Sequence, residues 1–319
     1  MKIISVEPLG IRDEQYLEIQ KEFEKSGHSF FMYPDRKEEN AELIRRASDA
    51  DVMVVSNIPV DKEVIQNLNK LKLLSVAFTG VDHIDLHACK QKNITVCNAA
   101  GYSTIAVSEL TIALIIDVLR KITEHDPKTR QSLTRQGFLG HEMYGKTAGI
   151  IGTGAIGSRT ARILNYMGAN VIAYSRTEKK DLKEAGIKYV SKQQLLKTSD
   201  IISLHLPSSN ETYHLISAEE LDMVKETAVL INTARGPIVD YHALSNALQQ
   251  KKLAGAGIDV YEKEPPLKPN HPLFSAPNTV LLPHIAYATH EAMKLRAEIT
   301  RQNILDWLNG NPKNLIHKG

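Results

Sequence analysis

Cysteine is almost missing from this chain: Cys89 and Cys97 are its only two among 319 residues. They do not stand in C-x-x-C spacing, which excludes a disulfide framework and a cysteine-based zinc site. Both lie before or on an apolar run, where packing is the ordinary fate of a thiol. Charge of one sign is equally scarce. The 39 Lys and Arg residues nearly balance 37 Asp and Glu, leaving a formal charge of +2. That balance leaves no electrostatic footprint for nucleic acid or an anionic membrane surface. Long hydrophobic runs are absent too. The longest, "IALIIDVL", falls far short of the roughly 20 residues a membrane helix needs. At the N-terminus a short apolar stretch is broken by Glu7 and Pro8, with none of the length a signal peptide requires, so a cytoplasmic protein is expected. His83 and His87 have i,i+4 spacing, but no third ligand accompanies them and no metal site is expected.

What the chain has in abundance is alternation. "KIISV", "HSFFMY", "DVMVVS", "LKLLSVAF" and "NITVCNA" read as buried strands separated by helix-period stretches such as "EQYLEIQKEFEKSG". A second series follows: "KTAGIIG", "NVIAYS", "DIISLHLP", "TAVLINTA", "LAGAGIDVY" and "NTVLLPH". Short apolar runs alternating with helices are the pattern of parallel βαβ architecture, with strands covered on both faces. The helix "HEAMKLRAEITRQNILDWLNG" places Leu295, Ile299, Ile304, Leu305 and Leu308 near one face, and after a complete second sheet it needs a partner. The expected class is α/β with two doubly wound parallel-sheet domains. A Rossmann cofactor domain, 99–288, is inserted into a flavodoxin-like substrate domain made of 1–98 plus 289–319.

Gly152-x-Gly154-x-x-Gly157 follows the strand "TAGII" and opens the helix pattern "AIGSRTARILNYMG". In that context the first glycine permits a tight turn, the second lets backbone approach a pyrophosphate, and the third allows close helix–strand packing. Ala155 and Ile156, at the helix start, offer amides to the phosphates. About twenty residues on, an acidic residue would bind the adenosine ribose of NAD. This chain has Ser175-Arg176-Thr177 there, followed by Lys179 and Lys180. A hydroxyl and nearby cations attract a 2′-phosphate that a carboxylate would repel, so NADP(H) is favoured, with NAD(H) possible.

Three late segments, "LINTARGPIVD", "GAGIDVYEKEPP" and "LLPHIAYAT", carry the chemistry. With the glycine turn, and with "FTGVDHIDL" and "NAAGYSTIAVSELT" earlier, they resemble the D-isomer-specific 2-hydroxyacid dehydrogenase family over nearly the whole chain. The resemblance implies homodimers joined through the cofactor domain, with the active site in a cleft between domains. It implies that Arg235 holds the substrate carboxylate and polarises its carbonyl, for which a planar fork of donors is suited. His284 would be the acid–base residue and Glu264 the carboxylate behind its imidazole. Thr79 and Gly80 would meet the substrate carboxylate. Leu206, Pro207 and Thr212 would line the cofactor, with Thr233, Ala234 and Asp259 at its nicotinamide end.

Relatives acting on 3-phosphoglycerate place arginines after the third strand, whereas "VVSNIPVDKEVI" has none, and no long C-terminal extension follows. D-3-phosphoglycerate is thus the lesser alternative within the family. A small unphosphorylated 2-oxo acid is expected: glyoxylate, hydroxypyruvate or a short-chain 2-ketoacid, reduced to the D-2-hydroxy acid. Outside the enzymes, a dinucleotide-sensing, corepressor-like interaction protein is the rival reading. Leu110, where the family often has histidine, is expected to affect helix packing rather than chemistry.

Overall fold

A computed structural model describes residues 1–263 and 265–319; Glu264, expected to back the imidazole, lies outside the described residues. The chain packs as two units, Met1–Ser103 with Ala288–Gly319, and Thr104–Tyr287. Each is built on its own sheet of mainly or wholly parallel strands.

In the first unit the strands are β1 (Lys2–Ser5), β2 (Ser29–Met32), β3 (Val52–Val55), β4 (Leu73–Val76) and β5 (Thr95–Asn98). They pair in parallel in the order β5-β4-β3-β1-β2. Sheet order reverses direction between β1 and β3, the switch point of a flavodoxin-like sheet, where ligands bind beyond the strands' carboxyl ends. Every residue of β3, β4 and β5 is buried, as expected for apolar runs covered on both faces. By contrast β2 is an edge, and its Phe31 is 46% exposed. A short strand, Leu315–His317, runs antiparallel to β5 and completes the other edge.

The helix His290–Leu308 packs on this sheet, with Ile304 of the expected face buried and Leu305 and Leu308 packed against the core. Leu295 is exposed, and the buried positions are Ala292, Arg296, Ala297, Thr300, Asn303 and Ile304. Those residues also recur at helical period, but three of them are polar and therefore weigh little in a reading of hydrophobicity. Hydrogen bonds account for their burial. Arg296 Nη2 donates to the Leu9 carbonyl at 2.7 Å, and Asn303 Nδ2 to the Asn98 carbonyl at 2.8 Å.

The second unit holds β6 (Thr147–Ile151), β7 (Asn170–Tyr174), β8 (Lys188–Tyr189), β9 (Ile201–Leu204), β10 (Val229–Asn232), β11 (Gly255–Ile258) and β12 (Thr279–Leu281). All pair in parallel, in the order β12-β11-β10-β9-β6-β7-β8. This is the doubly wound Rossmann arrangement, with its switch point between β6 and β9. The helix α1 (Thr104–Arg120) covers one face, where Leu114, Ile115 and Val118 join Ile150, Val229 and Ile231 in one core cluster. Leu110 packs partly against that cluster.

Candidate active site

At the switch point of the second unit, β6 leads through Gly152 into the helix α2 (Ala155–Tyr166). Gly152 has φ +95°, and its amide donates to the Tyr174 carbonyl at 2.8 Å. A Cβ there would come within 2.3 Å of the His205 carbonyl oxygen. At Gly157 the same addition would stand 2.0 Å from the Gly152 oxygen, so helix and strand touch as closely as backbone allows. Gly154 is the opposite case: exposed, at the N-cap of α2, with nothing within 4 Å of an added Cβ. Ala155 is exposed and Ile156 half-buried. The first amides of a helix have no intrahelical acceptor and carry positive dipole charge. Two glycines thus build a tight turn, and the third leaves room above a helix N-terminus, as a pyrophosphate requires. The residues present fit a dinucleotide.

Loops after β7 and β9 flank this turn. Tyr189 Oη donates to Thr153 Oγ1 at 3.0 Å and accepts the Lys179 amide at 3.0 Å. That link ties the glycine turn to the loop bearing Ser175, Arg176 and Thr177. Arg176 and Thr177 are exposed and Ser175 half-buried. Across the turn, Thr212 Oγ1 donates to the Pro207 carbonyl at 2.7 Å and accepts the Ser209 amide at 2.9 Å, so Pro207–Thr212 is a closed loop. Leu206 packs partly into the core beneath. Arg176 Nη1 reaches Glu211 Oε2 at 3.1 Å, a partner far away in sequence that no local pattern signals.

Farther along the same edge, the neighbouring strands β10, β11 and β12 end in Thr233-Ala234-Arg235, Asp259 and, three residues past β12, His284. Asn232 organises the first of these. Its Oδ1 accepts the Ala234 amide at 3.0 Å, while Nδ2 donates to the Arg235 carbonyl and Tyr241 Oη, both at 3.0 Å. Tyr241, almost wholly buried, donates in turn to the Val260 carbonyl at 2.6 Å. Thr233 Oγ1 lies 2.9 Å from Thr111 Oγ1, and Arg235 Nη1 donates to the Ala234 carbonyl at 2.8 Å. Asp259 is fully buried, and its two carboxylate oxygens accept the Ile285 and Ala286 amides at 2.8 Å each. His284 has φ +57°, an uncommon conformation for a residue with a side chain, and its ring meets Tyr287 edge-on at 5.4 Å between centroids. Asn232 and Tyr241 are contributors that sequence reading passed over, since each looks like core.

In the first unit, Thr79 and Gly80 follow β4 at the sheet's carboxyl edge, and Asn98 Nδ2 holds the Thr79 carbonyl at 2.6 Å. Nearby, Arg36 arrives from the loop after β2. Its Nη1 donates to Asn57 Oδ1 and Glu7 Oε2, each at 2.7 Å, and its Nε to Glu38 at 2.8 Å. Glu7 also accepts the Ser56 amide at 2.6 Å, and burial pushes its carboxyl above the ordinary range. A guanidinium therefore does stand beyond β3, although the stretch after β3 contains no arginine. His87 shares a hydrogen bond with Gln91, and among the described residues no group of three or more His, Cys, Asp or Glu is placed to hold a metal. No helix is long and apolar enough to cross a membrane, among the described residues.

Residues 112–286 match the family model for the D-isomer specific 2-hydroxyacid dehydrogenase NAD binding domain. A glyoxylate reductase of Thermococcus litoralis is 42% identical over 283 residues, covering 86% of this chain and 85% of the relative. A D-3-phosphoglycerate dehydrogenase of Archaeoglobus fulgidus is 37% identical over 98% of this chain but only 58% of its own length. Among solved structures, an acyclic imino acid reductase in complex with NADPH and D-Arg superposes with a TM-score of 0.90 at 33% identity, covering 99% of this chain and 100% of that one.

Proposed function

Because the chain belongs to the D-isomer-specific 2-hydroxyacid dehydrogenase family, and so is an NAD(P)-dependent oxidoreductase acting on CH–OH groups, we propose that it reduces a small unphosphorylated 2-oxo acid. Glyoxylate and hydroxypyruvate are the leading substrates, with short-chain 2-ketoacids next and the D-2-hydroxy acid as product. The observation that carries this reading is the succession of Arg235, Asp259 and His284 beyond three adjacent strands of one sheet, beside the glycine turn. The inserted unit is then the cofactor domain and the split unit the substrate domain, with Thr79 and Gly80 among its substrate-binding positions.

A bound nicotinamide supplies the hydride; the protein's residues do the rest. Arg235 binds the carboxylate and draws electron density from the adjacent carbonyl as the alkoxide forms. His284 gives a proton to that alkoxide, and the sequence motif assigns Glu264 the part of orienting its imidazole. Asp259 fixes the backbone that carries the imidazole. NADPH is the favoured reductant, because an exposed arginine rather than a carboxylate follows β7. Charge at Arg36 supports an unphosphorylated substrate. Two carboxylates, Glu7 and Glu38, already hold it, and a phosphate would have to displace them.

The homodimer belongs to the same proposal. Tyr166 and Tyr144 are 89% and 77% exposed on the inserted unit, and the Tyr144 ring lies against Gly168, next to Met167. Tyrosine is enriched in protein–protein interfaces. The cytoplasmic location expected from the sequence stays part of the proposal.

The test is turnover of NADPH and NADH with a panel of 2-oxo acids, for the wild type and His284→Gln. The expected result is reduction of glyoxylate and hydroxypyruvate by the wild type, and loss of most turnover in the variant with NADPH binding retained. Tight nucleotide binding with no turnover of any acid would assign the scaffold to sensing instead.

A further inference from the structure

The residue missing after β7 has a counterpart elsewhere. In the sheet order β9-β6-β7, the glycine turn follows the middle strand, Arg176 follows β7, and Glu211 stands on the loop after β9. Their ion pair, 3.1 Å long, therefore passes from one side of the glycine turn to the other. Both ends are anchored. The Arg176 loop is tied down through Tyr189 and Thr153, and the Glu211 loop is closed by Thr212. A dinucleotide whose pyrophosphate sits on α2 has its adenosine ribose at the end of β7. There it meets both charges at once.

We propose that Glu211 is a specificity-determining residue that weakens the protein's preference for NADPH by competing for Arg176; this rests on the dinucleotide reading of the glycine turn. With NADH the pair stays closed beside the ribose. A 2′-phosphate takes the guanidinium for itself, and the displaced carboxylate is left close to a group of about −2 charge. Side chains 82% and 75% exposed are well hydrated, so the pair contributes little to stability and opens easily. The same exposure limits the repulsion to a modest size. The two partners of one ion pair thus act in opposite directions on cofactor choice.

Dissociation constants for NADPH and NADH, measured by titrating the cofactor's own fluorescence, test this with Glu211→Gln and Arg176→Ala. Glu211→Gln is expected to tighten NADPH about three- to tenfold while changing NADH less than about twofold. Arg176→Ala is expected to weaken NADPH by about tenfold or more and leave NADH nearly unmoved. Rising salt should shrink both effects. Weaker or unchanged NADPH binding in Glu211→Gln, or an equal shift for both cofactors, overturns the role of Glu211 and leaves the dinucleotide site standing. A wild type that binds neither cofactor overturns the site and the pair together. Thermal melting of both variants should match the wild type.

Discussion

Asp259 holds Ala286, and its neighbour Ile285, by one carboxylate oxygen each. The carboxylate is wholly buried and acts on the two peptide groups just after His284. A residue with a side chain at φ +57° costs energy that surrounding structure must over-determine, and this clamp supplies that constraint. An Asp259→Asn variant keeps the shape but swaps one acceptor for an NH2 facing an N–H. One buried amide then lacks a partner, a loss of about 1–3 kcal/mol. We expect lower thermal stability together with a kcat reduced by one to two orders of magnitude, as the imidazole leaves its position. Unchanged kcat alongside a lowered melting temperature would restrict Asp259 to a structural part.

The glycine turn separates fold from function at neighbouring positions. Gly154→Ala meets nothing within 4 Å and sits at φ −63°, so folding should be nearly unaffected. Its new methyl instead fills the space above the helix N-terminus, and cofactor binding should weaken at least about tenfold as the phosphates lose close backbone approach. Gly157→Ala drives a Cβ into the Gly152 carbonyl and should destabilise the unit by several kcal/mol, on the order of a strained core substitution. Paired melting and fluorescence titrations distinguish the two outcomes. Equal loss of stability in both variants would contradict the open space at Gly154.

How far these features can be read from residues alone depends on how local their causes are. The Gly152–Gly157 spacing is local: a strand, a forced positive φ and a helix start are written within a dozen residues, and the turn forms where expected. The parallel strands were legible for a similar reason, since burial on both faces demands continuous apolar runs. Pairings between distant residues leave no such trace. Glu211 is an ordinary loop carboxylate until the sheet order sets it opposite Arg176. Arg36 looks like surface charge until β1 and β3 meet at a switch point and bring Asn57 and Glu7 to it. In the helix His290–Leu308, the periodic apolar face placed Ile304, Leu305 and Leu308 at the contact, whereas Arg296 and Asn303 are buried through hydrogen bonds that leave no trace in hydrophobicity.

Both thiols should be inert in the folded protein. Burial pushes Cys89 up to about 12 and Cys97 to about 11, and only the thiolate is a nucleophile. A chromogenic disulfide reagent at pH 8 is expected to label neither cysteine natively and both in guanidinium chloride. Rapid native labelling of either one would mean that the first unit opens around β5 far more often than its burial implies.

His205 gives the protein an acid-sensitive point at the heart of the second unit. It follows β9, its carbonyl crowds Gly152, and Ser203 Oγ lies 2.9 Å from its Nε2. The residue is half-buried, and burial pushes its imidazole down to about 4. An unfolded histidine titrates near 6.5. Between those values the unfolded chain binds a proton that the folded one refuses. Stability is therefore whole above about pH 6.5, falls as the pH drops through the unfolded value, and stops falling below about 4. The loss from this one group amounts to roughly 3 kcal/mol at most. Urea unfolding at pH 7.5, 6 and 5 should show the decline in the wild type and a shallower one in His205→Asn, whose amide does not titrate. Identical slopes for the two proteins would mean that the His205 imidazole is solvated in the folded state, and that other groups carry the acid sensitivity.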